Sequence, residues 1–93
     1  MASYWLESPS RAYAEKQVQV TAKTDDDSVK KVSFELSGAI SYSETIYDTG
    51  WKAFTCKTYA SSSTGRVDVK VVFMDEHGWT KETKYCWFDV VTW

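Results

Sequence analysis

The chain has no asparagine, one proline, one histidine, two cysteines and four glycines in 93 residues. Each scarcity excludes something. Without asparagine there is no acceptor for N-linked glycosylation. One histidine and two widely separated cysteines match no zinc spacing. There is no glycine-rich phosphate loop, and no serine or cysteine nucleophile has a base at a recognised spacing. His77 falls between Glu76 and Gly78 in an expected exposed turn, which is a solvated place and a poor one for a general base. Carboxylates such as Glu35 and Glu44 have no spacing that sets them at acid–base distance. A non-catalytic protein is therefore expected. Excess positive charge is also missing, since 11 Lys and Arg face 13 Asp and Glu for a net charge of −2, so a nucleic-acid partner is not expected. No apolar run approaches the roughly 20 residues of a membrane-spanning helix, so membrane insertion is not expected either. The opening Met1 to Trp5 lacks the charged and apolar regions of a signal peptide. Residues 1–93 read as a single module cut from a larger protein whose own signal lies elsewhere.

What is abundant is aromatic: five Trp, six Tyr and four Phe, 16% of the chain. Aromatic and β-branched residues favour strands, and the hydrophobic pattern has period two. Val18, Val20 and Ala22 alternate with polar neighbours. So do Val32, Phe34 and Leu36, then Val67, Val69, Val71 and Phe73, and finally Cys86, Phe88 and Val90. Phe54 and Cys56 share a face. Weaker runs cover Ile40 to Tyr47 and Tyr4 to Glu7. Pro9 ends the first run because it cannot donate to a ladder. Gly38, Gly50, Gly65 and Gly78 fall at breaks, where a positive φ is easiest for glycine. Asp75 to Gly78 is expected to form a turn, with Asp75 bonding the turn backbone and Gly78 in the left-handed position. The pattern gives an all-β fold of seven antiparallel strands, a β-sandwich, with a small barrel as the rival. All four phenylalanines (Phe34, Phe54, Phe73 and Phe88) point inward.

The run from Gly65 to Gly78, in which glycine precedes alternating valines and an Asp75-x-x-Gly78 turn follows, resembles the final hairpin of bacterial immunoglobulin-like domains. The run from Asp27 through Val29 and Val32 to Phe34 is similar to their third strand, entered from an acidic loop. The resemblance spans about residues 8–91 and rests on short motifs. Trp79 departs from it, because a small polar residue usually follows that glycine. The Cys56/Cys86 spacing departs from the antibody disulfide, and Phe34 stands where antibody domains carry a core tryptophan. The resemblance implies an immunoglobulin-like β-sandwich serving as a structural or adhesion module of a multi-domain bacterial surface or secreted protein. Its partners would then be neighbouring domains or another protein, in an extracellular or cell-surface setting.

Three groups of residues stand out as candidate sites. Cys56 and Cys86 both face inward on different strands. They are either a cross-core disulfide, if the compartment is oxidising, or two small buried thiols. The acidic loops at Asp25, Asp26 and Asp27, at Asp48, and at Asp75 and Glu76 gather at one end if alternate loops share an end. Calcium takes 6–8 oxygen ligands, so such a gathering is a candidate calcium site, with solvated acidic loops as the plainer reading. No other cofactor is implied. Tyr85 and Trp87 share the outward face of the last strand, with Val72 and Met74 outward on the strand before it, and Trp51 and Trp79 sit at strand starts beside glycine. Such a patch marks an interface or a ligand platform. Sugars stack on flat aromatic faces, so a carbohydrate-binding module that targets a partner enzyme to polysaccharide is the second functional reading. The competing expectation is that Tyr4, Trp5 and Leu6 fold over this face and cover it.

Overall fold

The computed structural model describes residues 2–47, 53–60 and 62–92. Among them are eight strands: β1 (Tyr4–Glu7), β2 (Arg11–Tyr13), β3 (Gln17–Thr24), β4 (Lys31–Gly38), β5 (Tyr42–Tyr47), β6 (Ala53–Tyr59), β7 (Gly65–Met74) and β8 (Thr80–Val91). They form a three-stranded sheet in the order β1-β3-β6 and a five-stranded sheet in the order β2-β8-β7-β4-β5. The two inner faces enclose one core, as in a β-sandwich. The strong period-two runs are strands that bury the expected face, while the weaker runs give β1 and β5, whose inward residues are only partly buried. The phenylalanines Phe34, Phe54, Phe73 and Phe88 are all at most 1% exposed, each contributing about 1.5–3 kcal/mol by burial.

Two features differ from the sequence expectation of seven antiparallel strands. The segment before β3 supplies two strands, β1 and β2, on either side of Pro9. Because proline has no N–H to continue a ladder, the chain leaves the small sheet there and crosses to the large one. β1 pairs antiparallel with β3, and β2 pairs parallel with β8. Elsewhere the strand order is not sequential, with β3 beside β6 and β4 beside β7.

Local chemistry fixes the connections that position the surface. In the β7–β8 turn the Asp75 carboxylate accepts the N–H groups of His77 and Trp79, both at 2.9 Å. Gly78 takes φ +84°, as the turn demands. At the end of β4, Gly38 has φ +105°, and a Cβ there would lie 2.3 Å from the Arg66 carbonyl oxygen. Only glycine lets β4 come this close to β7. Lys31 is paired with both Met74 and Tyr47. The β3–β4 loop, the β7–β8 turn and the end of β5 therefore share one end of the sandwich.

Candidate functional site

The outer face of the large sheet carries most of the exposed side chains singled out by the sequence. Period two turns Arg66, Asp68, Lys70, Val72 and Met74 outward on β7, and Asp89, Trp87, Tyr85 and Thr83 outward on β8. Register then sets the rows. Arg66 lies opposite Asp89, Asp68 opposite Trp87, Lys70 opposite Tyr85, and Val72 opposite Thr83. On the other side of β7, Lys70 lies opposite Glu35. Tyr85 is 70% exposed and Trp87 52% exposed. The two rings are neighbours on one strand face, about 7 Å apart along the strand. Arg66 joins them: its guanidinium carbon sits 4.6 Å from the centre of the Trp87 ring, and its Nε donates to Asp68 at 2.9 Å. Together with Glu35 and Ser37 these residues line an open groove of ≈ 320 Å³.

This face is aromatic and charged rather than apolar. Tyr85 and Trp87 meet Lys70 and Asp68, whereas Val72 and Met74 lie in rows nearer the β7–β8 turn and are only half-exposed. Sequence reasoning missed Arg66, Asp68, Lys70 and Glu35 as part of the surface. The signal was present, because counting back along the hairpin from the Asp75–Gly78 turn pairs Trp87 with position 67 or 68. The one-residue irregularity between Phe73 and Met74 selects 68. The N-terminal run does not cover this face. Tyr4 and Leu6 on β1 pack against the core from the opposite sheet, and Trp5 points outward there, 43% exposed.

Trp79 is apart from Trp87. It is 71% exposed at the β7–β8 turn, where its backbone is held by Asp75. Trp51 and Asp48 lie outside the described residues.

The β3–β4 loop and the β7–β8 turn, which carry the described acidic candidates, share one end of the sandwich. Among the described residues no three His, Cys, Asp or Glu side chains gather in a way that holds a metal ion. Loop hydrogen bonds occupy the carboxylates instead. Asp25 accepts the Ser3 N–H at 2.7 Å. Asp26 accepts the Ser28 N–H at 2.9 Å, the Ser28 hydroxyl at 2.6 Å and the Tyr4 hydroxyl. The Ser28 and Tyr4 donors hold the Asp26 carboxyl down to about 2, and the carboxylate in turn pushes the Tyr4 phenol up to about 12. Asp75 is lowered by the Trp79 and His77 N–H groups it accepts. Glu76 faces His77 at 3.5 Å on the exposed turn. Asp27 sits in the same β3–β4 loop, exposed.

Of the two readings, bridge or thiols, Cys56 and Cys86 are found as free thiols. Cys56 on β6 lies on the strand that packs over β4 and β5, whereas Cys86 on β8 lies near β1 and β2. Two strand spacings of about 4.8 Å and a sheet gap of about 10 Å separate them, beyond the roughly 7 Å between Cα atoms that a disulfide spans. Burial pushes the Cys56 thiol up to about 11. Burial also raises Cys86, against a Ser8 hydrogen bond that lowers it.

Compared with known proteins, the sequence matches no family model and no curated protein.

Proposed function

We propose that this chain is a non-catalytic, immunoglobulin-like adhesion module of a multi-domain bacterial surface or secreted protein, and that it binds protein through the outer face of β8, β7 and β4. The strand orders support the fold part of this reading. β1-β3-β6 corresponds to the A-B-E order, and β8-β7-β4 to the G-F-C order, of immunoglobulin sandwiches. The observation that carries the functional part is the open cluster of Trp87, Tyr85 and Arg66. Tryptophan, tyrosine and arginine are the side chains that dominate protein–protein hot spots. Here they stand together on a rigid sheet, with charged residues set between them. The surface or secreted setting rests on the family resemblance alone, since no disulfide supports it.

The carbohydrate reading draws on the same two rings. It is the weaker one, because Arg66 covers a face of Trp87 that a sugar would need for stacking. Beads coated with the chain test the choice on immobilised bacterial cells. Retention should be lost with Trp87→Ala and Tyr85→Ala, and lost when protease strips the cells but not when glycosidases do. Retention that survives protease and falls with glycosidase assigns the face to polysaccharide, and retention indifferent to both substitutions removes it as the binding face.

A further inference from the structure

We infer that the partner this face fits is a second copy of the chain, docked face to face about a twofold axis running parallel to the strands between β7 and β8. The inference rests on the reading that this face recognises protein. It is carried by charge complementarity written into the β7–β8 register. Such an axis exchanges the two strands across the interface, so every β8 side chain meets the side chain that lies opposite it in its own sheet, now contributed by the other copy. Asp89 therefore meets Arg66 of the second copy, and Arg66 meets its Asp89. Trp87 meets Asp68, which accepts from an indole N–H. Tyr85 meets Lys70, a cation over an aromatic face. The three pairings follow from Arg66↔Asp89, Asp68↔Trp87 and Lys70↔Tyr85 in a single sheet, and each occurs twice in the isologous pair.

An axis in the middle of β7 is excluded by the same rows. It would set each charged residue of β7 against itself, Arg66 on Arg66 and Lys70 on Lys70, which costs energy rather than gaining it. The complementary residues all reach solvent, Arg66 while paired with Asp68 and stacked on Trp87 of its own copy. Arg66, Asp68, Lys70, Tyr85, Trp87 and Asp89 are exposed, and β1 packs on the other sheet. The face is narrow and the outer ends of its charged side chains are wet, so the interface belongs with weak, transient ones. A Kd on the order of 100 μM is expected, weakening as salt screens the Asp89–Arg66 pairs.

Sedimentation velocity of the chain between about 10 μM and about 1 mM measures it directly. Arg66→Asp and Asp89→Arg each turn both reciprocal pairs into like charges, and each alone should raise Kd about 10-fold or more. Mixed in equal amounts they restore two opposite-charge pairs, so the mixture should dimerise about as tightly as the wild type. Circular dichroism melts check that each variant stays folded, and the mixture reports on complementarity whatever small stability change each carries. A wild type that stays monomeric to about 1 mM overturns the inference, as do single variants that associate normally or a mixture that fails to recover. Retention of beads on protein surfaces that persists in a strictly monomeric wild type would leave the recognition reading standing and sink self-docking alone.

Discussion

The tie between Tyr4 and Asp26 fastens β1 to the β3–β4 loop and gives the fold a pH window with two edges. Asp26 titrates at about 2 in the folded chain against 3.8 in an unfolded one. A group with a lowered folded value contributes stability that is complete above pH 3.8 and is lost as pH falls through about 2. Tyr4 titrates at about 12 in the folded chain against 10.0 unfolded. Its contribution is complete below pH 10.0 and is lost as pH rises through about 12. Taken at face value the Asp26 shift corresponds to about 2 kcal/mol. Two corrections reduce it. The carboxylate is partly exposed, so solvent screening leaves about half. Its largest cause is the Ser28 hydroxyl, with Tyr4 second, so only part of the remainder belongs to the Tyr4 bond. The coupling between Tyr4 and Asp26 is therefore about 0.5–1 kcal/mol near neutral pH. A double-mutant cycle of Tyr4→Phe, Asp26→Asn and both together, read by urea unfolding at pH values from 2 to 11, measures it. The coupling should be flat through the neutral range and shrink at both ends. A coupling under about 0.2 kcal/mol at pH 7, or one of undiminished size at pH 2, refutes the argument.

Two further expectations follow from close packing and from the placement of the thiols. Gly38→Ala should cost at least about 2 kcal/mol, because its Cβ would lie 2.3 Å from a backbone oxygen that cannot retreat without breaking the β4–β7 ladder. Gly78→Ala should cost only about 1 kcal/mol, since the atom nearest its Cβ is the mobile Lys31 Nζ at 3.7 Å. Urea melts of the two variants check the order, and equal losses would mean that the positive φ rather than the clash is what matters. A thiol reagent should find two free thiols in the unfolded chain and, in the folded chain, react with Cys86 while leaving Cys56 untouched. Mass spectrometry of the labelled peptides assigns the site.

The inward half of the fold was legible in the sequence, because burial imposes period two and a one-residue slip would expose every valine of β7. The turn at Asp75–Gly78 was legible for the same kind of reason, since a short acidic side chain and a left-handed glycine are required by its geometry. What the pattern did not give is partnership. Strand pairing between β3 and β6, or β4 and β7, is set by long-range packing that leaves no mark on local alternation. The choice between a bridge and two buried thiols turned on that point. Cys56 and Cys86 both face the core, but facing one core is not facing each other, and only strand order says which edge of the sandwich each occupies. The acidic loops show a related limit: alternation did not reveal that Asp26 and Asp75 accept from donors in their own loops.

The exposed face of the large sheet traces back to the chain's single proline. Tyr4, Trp5 and Leu6 form an aromatic and apolar segment, and a run of that kind ordinarily seeks an uncovered sheet face. Alternation sends Tyr4 and Leu6 inward, where the Tyr4 and Phe73 rings pack edge to face with their centres 5.1 Å apart. Pairing with β3 commits β1 to the small sheet. Pro9 then breaks that ladder at the point where the chain must cross, so the part that reaches the large sheet is β2, three residues beside β8 with only Arg11 and Tyr13 turned outward. Nothing is left of the N-terminal run to lie across Trp87 and Tyr85. Their exposure is thus a consequence of topology and not of a shortage of apolar residues to cover them. The charged residues set opposite them, Asp68 and Lys70, break up the apolar surface that the two rings present to water.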